Sequence, residues 1–105
     1  EAAIAAYGQL QSRHPNAPEA LVSYVVLGRI LLQRGEATAA EAQFARYLRR
    51  APAGSLAEDA LFGRASALRM GGRTAEERRA LTQLVTRYPG SVTGRAAQAR
   101  LEELN

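Results

Sequence analysis

The sequence predicts an all-α protein, a stack of six helices in antiparallel pairs, and three observations carry that expectation. Pro15, Pro52 and Pro89 stand 37 residues apart, and Gly35 recurs as Gly72 at the same step. Large residues follow the same interval: Tyr7, Phe44 and Leu81, and behind them Leu10, Tyr47 and Leu84. The composition is that of helices, 47% hydrophobic with much of it alanine, only 6% aromatic and no Trp. Self-similarity at a period of roughly 20–50 residues marks stacked repeats, each burying its apolar face only against a neighbour. Ala, Leu, Arg, Glu and Gln are strong helix formers, and no strand pattern competes.

Start and stop signals divide the chain into six segments. The first, about 2–13, spaces Ile4, Tyr7 and Leu10 at three-residue steps and stops before Pro15. Proline lacks the N–H a helix needs and restricts the residue before it, so each repeated proline is a stop. The second, about 17–34, is expected to be capped by Asn16 with Glu19, carries Pro18 in its first turn and ends at Gly35. The third, about 37–50, opens on Thr38-x-x-Glu41 and places Phe44, Tyr47 and Leu48 on one face. The fourth, about 55–70, opens on Ser55-x-x-Glu58 and closes at Gly71-Gly72. The fifth, about 74–88, opens on Thr74-x-x-Glu77 and carries Leu81, Leu84 and Val85. The sixth begins near Ser91 with Val92, Ala96, Ala97, Leu101 and Leu104. That series echoes Leu56, Ala60, Leu61, Ala65 and Leu68 if the last connection is one residue shorter. The chain is read as one domain over 1–105: a half repeat (1–15), two repeats (16–52 and 53–89) and a terminal capping helix (90–105). It opens at Glu1-Ala2-Ala3 inside a helical pattern, which reads as a piece of a longer protein.

Composition excludes much chemistry. All 14 basic residues are Arg, so lysine Schiff-base chemistry and a phosphate-loop lysine are ruled out. There is no Cys, hence no disulfide, thiolate nucleophile or thiolate metal site. The lone imidazole, His14, precedes a proline at a helix stop, where it serves as a turn residue or C-terminal cation. The ten acidic residues sit mostly in first turns, where capping and the helix dipole account for them. Ser55 and Ser91 read as caps. No catalytic, cofactor or metal residue is expected, and the chain is read as a non-enzyme. Its longest apolar runs fall far short of the roughly 20 residues a membrane span needs.

The unit from about 21 to 52 resembles a tetratricopeptide repeat. Tyr24, Leu27, Gly28 and Leu31 match the family's first helix, Gly35 its turn, Ala40 and Phe44 its second helix, and Pro52 its close. The next unit repeats this with Leu61, Ala65, Leu68, Gly72, Leu81 and Pro89, departing at Arg64 and Glu77, where a Leu and a small residue are wanted. The period exceeds the family's usual 34 or so residues, the excess lying in the connectors 14–19, 51–56 and 89–94. Such connectors are similar to those of bacterial cell-envelope members: the Tol–Pal-associated coordinators, the outer-membrane β-barrel assembly lipoprotein and some anti-sigma-type membrane regulators.

The resemblance implies a right-handed α-α superhelix of about two and a half hairpins. It also implies a non-catalytic scaffold that binds a protein or peptide in a concave groove, in a periplasmic or envelope setting, with a cytoplasmic one as the alternative. By register the groove falls to Val22, Val25, Arg29 and Leu32, then to Asp59, Phe62, Ser66 and Arg69. Phe62 lies off the apolar stripe of its helix, so it is either covered by a neighbour or exposed as an anchor. The lysine-and-asparagine clamp of chaperone-binding members is absent. Arg46, Arg49 and Arg50, with Arg73, Arg78, Arg79 and Arg87, read as a solvated outer face. With aromatics at core spacing, nucleic-acid binding is disfavoured against protein binding. A half-covered first helix carrying Ile4, Tyr7 and Leu10 raises the alternative of self-assembly, a weak homodimer.

Overall fold

Among the described residues six helices run in chain order: α1 (Ala2–Arg13), α2 (Pro18–Gln33), α3 (Ala37–Arg50), α4 (Ala57–Met70), α5 (Thr74–Arg87) and α6 (Val92–Leu104). This computed structural model describes residues 2–105; Glu1, counted above with the half repeat, lies outside the described residues. Each helix packs on the next, and α2, α4 and α6 also touch in a row. Among the described residues, α3 and α5 do not approach each other that closely, so the stack is tight on one side and splayed on the other. The tight side is the inner face and the splayed side the outer one, in an elongated body of 42 × 26 × 19 Å.

The turns inside the hairpins are built alike. Gly35 and Gly72 adopt positive φ of 77° and 73°, a conformation glycine enters without a Cβ penalty. The following N–H groups then close the helix ends. Glu36 donates to the Leu31 carbonyl and Gly35 to that of Leu32, and Arg73 and Gly72 do the same with Leu68 and Arg69. Those are the paired bonds of a Schellman turn. At the repeat boundaries no glycine is needed: Ala51 and Tyr88 donate to the carbonyls four residues back, and Pro52 and Pro89 then stop the helix.

The core divides into two clusters. Tyr24, Val25, Leu27, Leu31, Phe44 and Tyr47 form the first with small partners such as Ala40 and Ala57. Leu61, Leu68, Ala80, Leu81, Leu84 and Ala97 form most of the second. Phe44 is fully buried and held from both sides. A Cβ on Gly28 of α2 would stand 2.7 Å from its ring, and one on Gly63 of α4 would stand 2.4 Å away. The sequence identifies Gly28 in this role; Gly63 does not recur as glycine at the 37-residue step, so the repeat pattern does not mark it.

Two expectations are corrected. The expected capping boxes do not form: α2, α3, α4 and α5 have Ala17, Glu36, Leu56 and Arg73 as N-caps, none with a side-chain cap bond. Only Ser91 caps as expected, accepting from the Gly94 N–H. The glutamates of three of the expected boxes reach a neighbouring helix instead. Glu41 accepts from Arg64 of α4, Glu58 from Thr93 of α6 and Glu77 from Arg100 of α6. Neither is the last connection one residue short. Ala20, Ala57 and Gly94 are buried at steps of 37, and so are Ser23, Ala60 and Ala97, so α6 keeps the register of the earlier repeats. Its Ala96, placed in the echo beside Ala60, is exposed.

Because Phe44 cannot retreat from one glycine without striking the other, Gly63→Ala should destabilise. Overpacking of about 1–3 kcal/mol outweighs the helix propensity of about 1 kcal/mol gained by replacing glycine. Adding Phe44→Leu, the residue found at the matching position 81, should relieve the clash. A thermal-melt double-mutant cycle would then show positive coupling, and simple additivity would refute the clamp.

Candidate functional site

The inner face carries a cleft of about 270 Å³ between α4 and α6. Phe62, Ser66 and Arg69 of α4 form one wall, and Ala96, Ala99 and Glu103 of α6 the other. Ala65, Leu81, Glu77 and Arg100 complete the lining. The last of these explain why the cleft exists. Ala65, Leu81 and Arg100 are the counterparts, 37 residues on, of Gly28, Phe44 and Gly63. Where the first repeat has an aromatic ring filling the space between two inner helices, the second has the shorter Leu81, and the gap stays open.

The expected groove residues separate into four groups. Phe62, Ser66 and Arg69 share the cleft, with Phe62 37% exposed, so its alternatives resolve toward a surface ring at the cleft wall. Arg29 and Asp59 meet each other across α2 and α4 at 3.1 Å, both substantially exposed. Val25 and Leu32 are corrections: Val25 is 1% exposed and belongs to the core, and Leu32 packs half-buried against it. Val22 is exposed but lines a separate hollow with Leu21, Tyr47 and Leu56, near the α3–α4 connector.

The α6 wall was missed, although the register contained it. Asp59, Phe62 and Ser66 advance by 37 to Ala96, Ala99 and Glu103. Reading the sixth helix one residue short hid the correspondence.

Charge at the cleft is held by geometry. Glu77 is 2% exposed and accepts from Arg100 at 2.7 Å and 3.2 Å, while Arg100 also lies 3.7 Å from Glu103. The hydrogen bond to Glu77 raises the Arg100 guanidinium above its ordinary value, so it stays charged. In the first turn of α4, the Ser91 and Thr93 hydroxyls beside Glu58 hold its carboxyl below the ordinary carboxylate value. Arg69 has no carboxylate partner among the described residues, leaving it as the cleft's available cation. His14 is exposed, and no group of three or more His, Cys, Asp or Glu could hold a metal among the described residues. No helix there is long and apolar enough to cross a membrane.

The tetratricopeptide repeat family profile matches residues 1–55 and again 25–92. The chain is a member of the tetratricopeptide repeat family. Such repeats generally mediate protein–protein interaction as non-catalytic scaffolds. No curated protein matches the chain.

Two ion pairs of equal formal charge should differ sharply on truncation. Arg100→Ala strands the buried Glu77 carboxylate and should cost about 3–5 kcal/mol. Arg29→Ala breaks an exposed pair and should cost at most about 1 kcal/mol. Urea melts of the two variants check this; equal midpoints would show that Glu77 finds solvent when Arg100 is gone.

Proposed function

We propose that the chain is a protein-interaction module whose inner face accepts a peptide segment of a partner protein at the α4–α6 cleft. The observation that carries this reading is the apolar opening left beside Leu81, walled by the exposed ring of Phe62 and flanked by Arg69, which has no carboxylate partner among the described residues. An apolar side chain of the partner fills the opening against Phe62, and a partner carboxylate meets Arg69 in a charge-assisted, bidentate contact. Arg29 and Asp59 satisfy each other across α2 and α4, outside the lining of the cleft. A cell-envelope setting belongs to the same proposal, supported by the long connectors at 14–19, 51–56 and 89–94. Fractionation of the source cells tests it.

The test is calorimetric titration of a partner-derived peptide once pull-down and cross-linking have identified one. Phe62→Ala should remove roughly 1–3 kcal/mol of binding, as truncation of an aromatic anchor does. Arg69→Ala should weaken binding to a lesser extent, and raised salt only modestly. Full affinity in both variants would rule the cleft out as the site.

Self-association is a second reading, favoured by one observation: α1 has no buried residue, and Ile4 and Tyr7 are only partly covered against the first core cluster. A concentration-dependent dimer in sedimentation, lost in Tyr7→Ser, would support it; a strict monomer at high concentration would remove it.

A further inference from the structure

A larger opening than the inner cleft lies on the other side. A groove of about 610 Å³ runs between α3 and α5 on the outer face, within the size range of pockets that hold ligands. Its apolar part is formed by Ala45, Leu48, Pro52 and the buried Leu61 of α4, and Thr82 and Thr86 supply a neutral polar wall. Every charged group lining it is an arginine: Arg49, Arg64 and Arg87.

The sequence explains that one-sidedness. No Asp or Glu occurs in residues 42–57 or 78–101, which include most of α3 and α5. Acidic residues gather at the starts of α3, α4 and α5 and the end of α6, where many pair with arginines inside the stack. Arg64 is one so paired, with Glu41 at 2.9 Å. Arg87 donates to the Pro52 carbonyl at 2.6 Å, holding one end of the groove across the two repeats. Arg49 is exposed and has no carboxylate partner among the described residues. The outer face therefore keeps much of the formal surplus of +4, concentrated around an apolar groove.

We propose that this groove is a second docking site, for an acidic segment of a protein partner that also carries large apolar side chains. The apolar side chains seat over Leu48 and Leu61, and the carboxylates pair with Arg49 and the outer edges of Arg87. Charge complementarity selects the acidic class. The apolar floor selects a peptide over a nucleic acid, because no aromatic lines the groove as a platform for bases. This site is separate from the inner cleft and does not depend on it.

Fluorescence anisotropy tests it with three probes: a labelled peptide of Glu and Leu, the same peptide with Gln for Glu, and a single-stranded oligonucleotide of mixed sequence. The Glu–Leu peptide should bind the wild-type chain, and Arg49→Glu should weaken it at least about tenfold. Thr86→Phe, which fills the groove from an exposed position without changing charge, should weaken it comparably. The Gln peptide should bind at least about tenfold more weakly than the Glu peptide. Arg95→Ala, at an exposed arginine that lines neither opening, should leave binding unchanged, and thermal melts should show every variant folded. Equal binding of the Glu and Gln peptides, or indifference to both groove variants, overturns the proposal. So does loss of binding in Phe62→Ala, which would move the peptide to the inner face. Tighter binding of the oligonucleotide, with affinity falling steeply as salt rises, replaces it with a polyanion site.

Discussion

The ring of Phe44 and the two glycines that face it set the geometry from which the rest of the stack follows. Three helices meet at that ring, α3 contributing it and α2 and α4 closing on it through Gly28 and Gly63. Side chains at either position would hold the inner helices apart, and the row of α2, α4 and α6 would lose its tight side. At the matching place one repeat later, Leu81 stands between Ala65 and Arg100. A shorter side chain there leaves the space between α4 and α6 unfilled. The tight packing of the first repeat and the cleft of the second are thus two outcomes of one packing arrangement, decided by ring against isobutyl group.

The residues that depart from the repeat pattern have a physical use. Arg64 occupies the position of Leu27, and Glu77 that of Ala40, which in a purely apolar stack would be defects. Each is satisfied by a helix from the adjoining hairpin: Arg64 by Glu41, Glu77 by Arg100. Pairs of this kind add little net stability over well-packed apolar residues, but breaking one leaves an isolated buried charge. They therefore fix which helix faces which, a role suited to a chain whose repeats otherwise look alike.

How much of this was legible follows from what each signal depends on. The period, the proline stops and the positive-φ glycines are local properties of the backbone, and they placed all six helices to within about two residues. Capping failed because it was judged on local spacing alone. Thr38 and Thr74 lie inside their helices, and Glu41, Glu58 and Glu77 had better partners across the stack. Gly63 was invisible because its reason for being glycine is a ring 19 positions earlier in the chain, on another helix. Val25 was misassigned to the groove because a helix wedged between neighbours buries more than one stripe, and register alone cannot say where the buried arc ends.

α6 shows how the wall of the cleft is anchored by directional polar bonds as well as by apolar packing. It buries only Gly94 and Ala97, small residues that contribute little hydrophobic stabilisation. Leu101 and Leu104 pack half-buried against the second core cluster, and polar bonds add to them: Thr93 donating to Glu58, Arg100 to Glu77, and Arg78 of α5 to the Leu104 carbonyl. Such bonds are directional, so they define the angle of α6 against α4, and hence the cleft width, more sharply than a smooth apolar contact would. They also make the wall responsive. The Glu58 carboxyl has a lowered folded-state pKa, so its contribution is fully present above the ordinary value of 4.5 and is lost as pH falls through the lower folded one. The wall built this way stays fixed through the neutral range, while the apolar contacts of α2, α3 and α4 keep the ring of Phe44 in place.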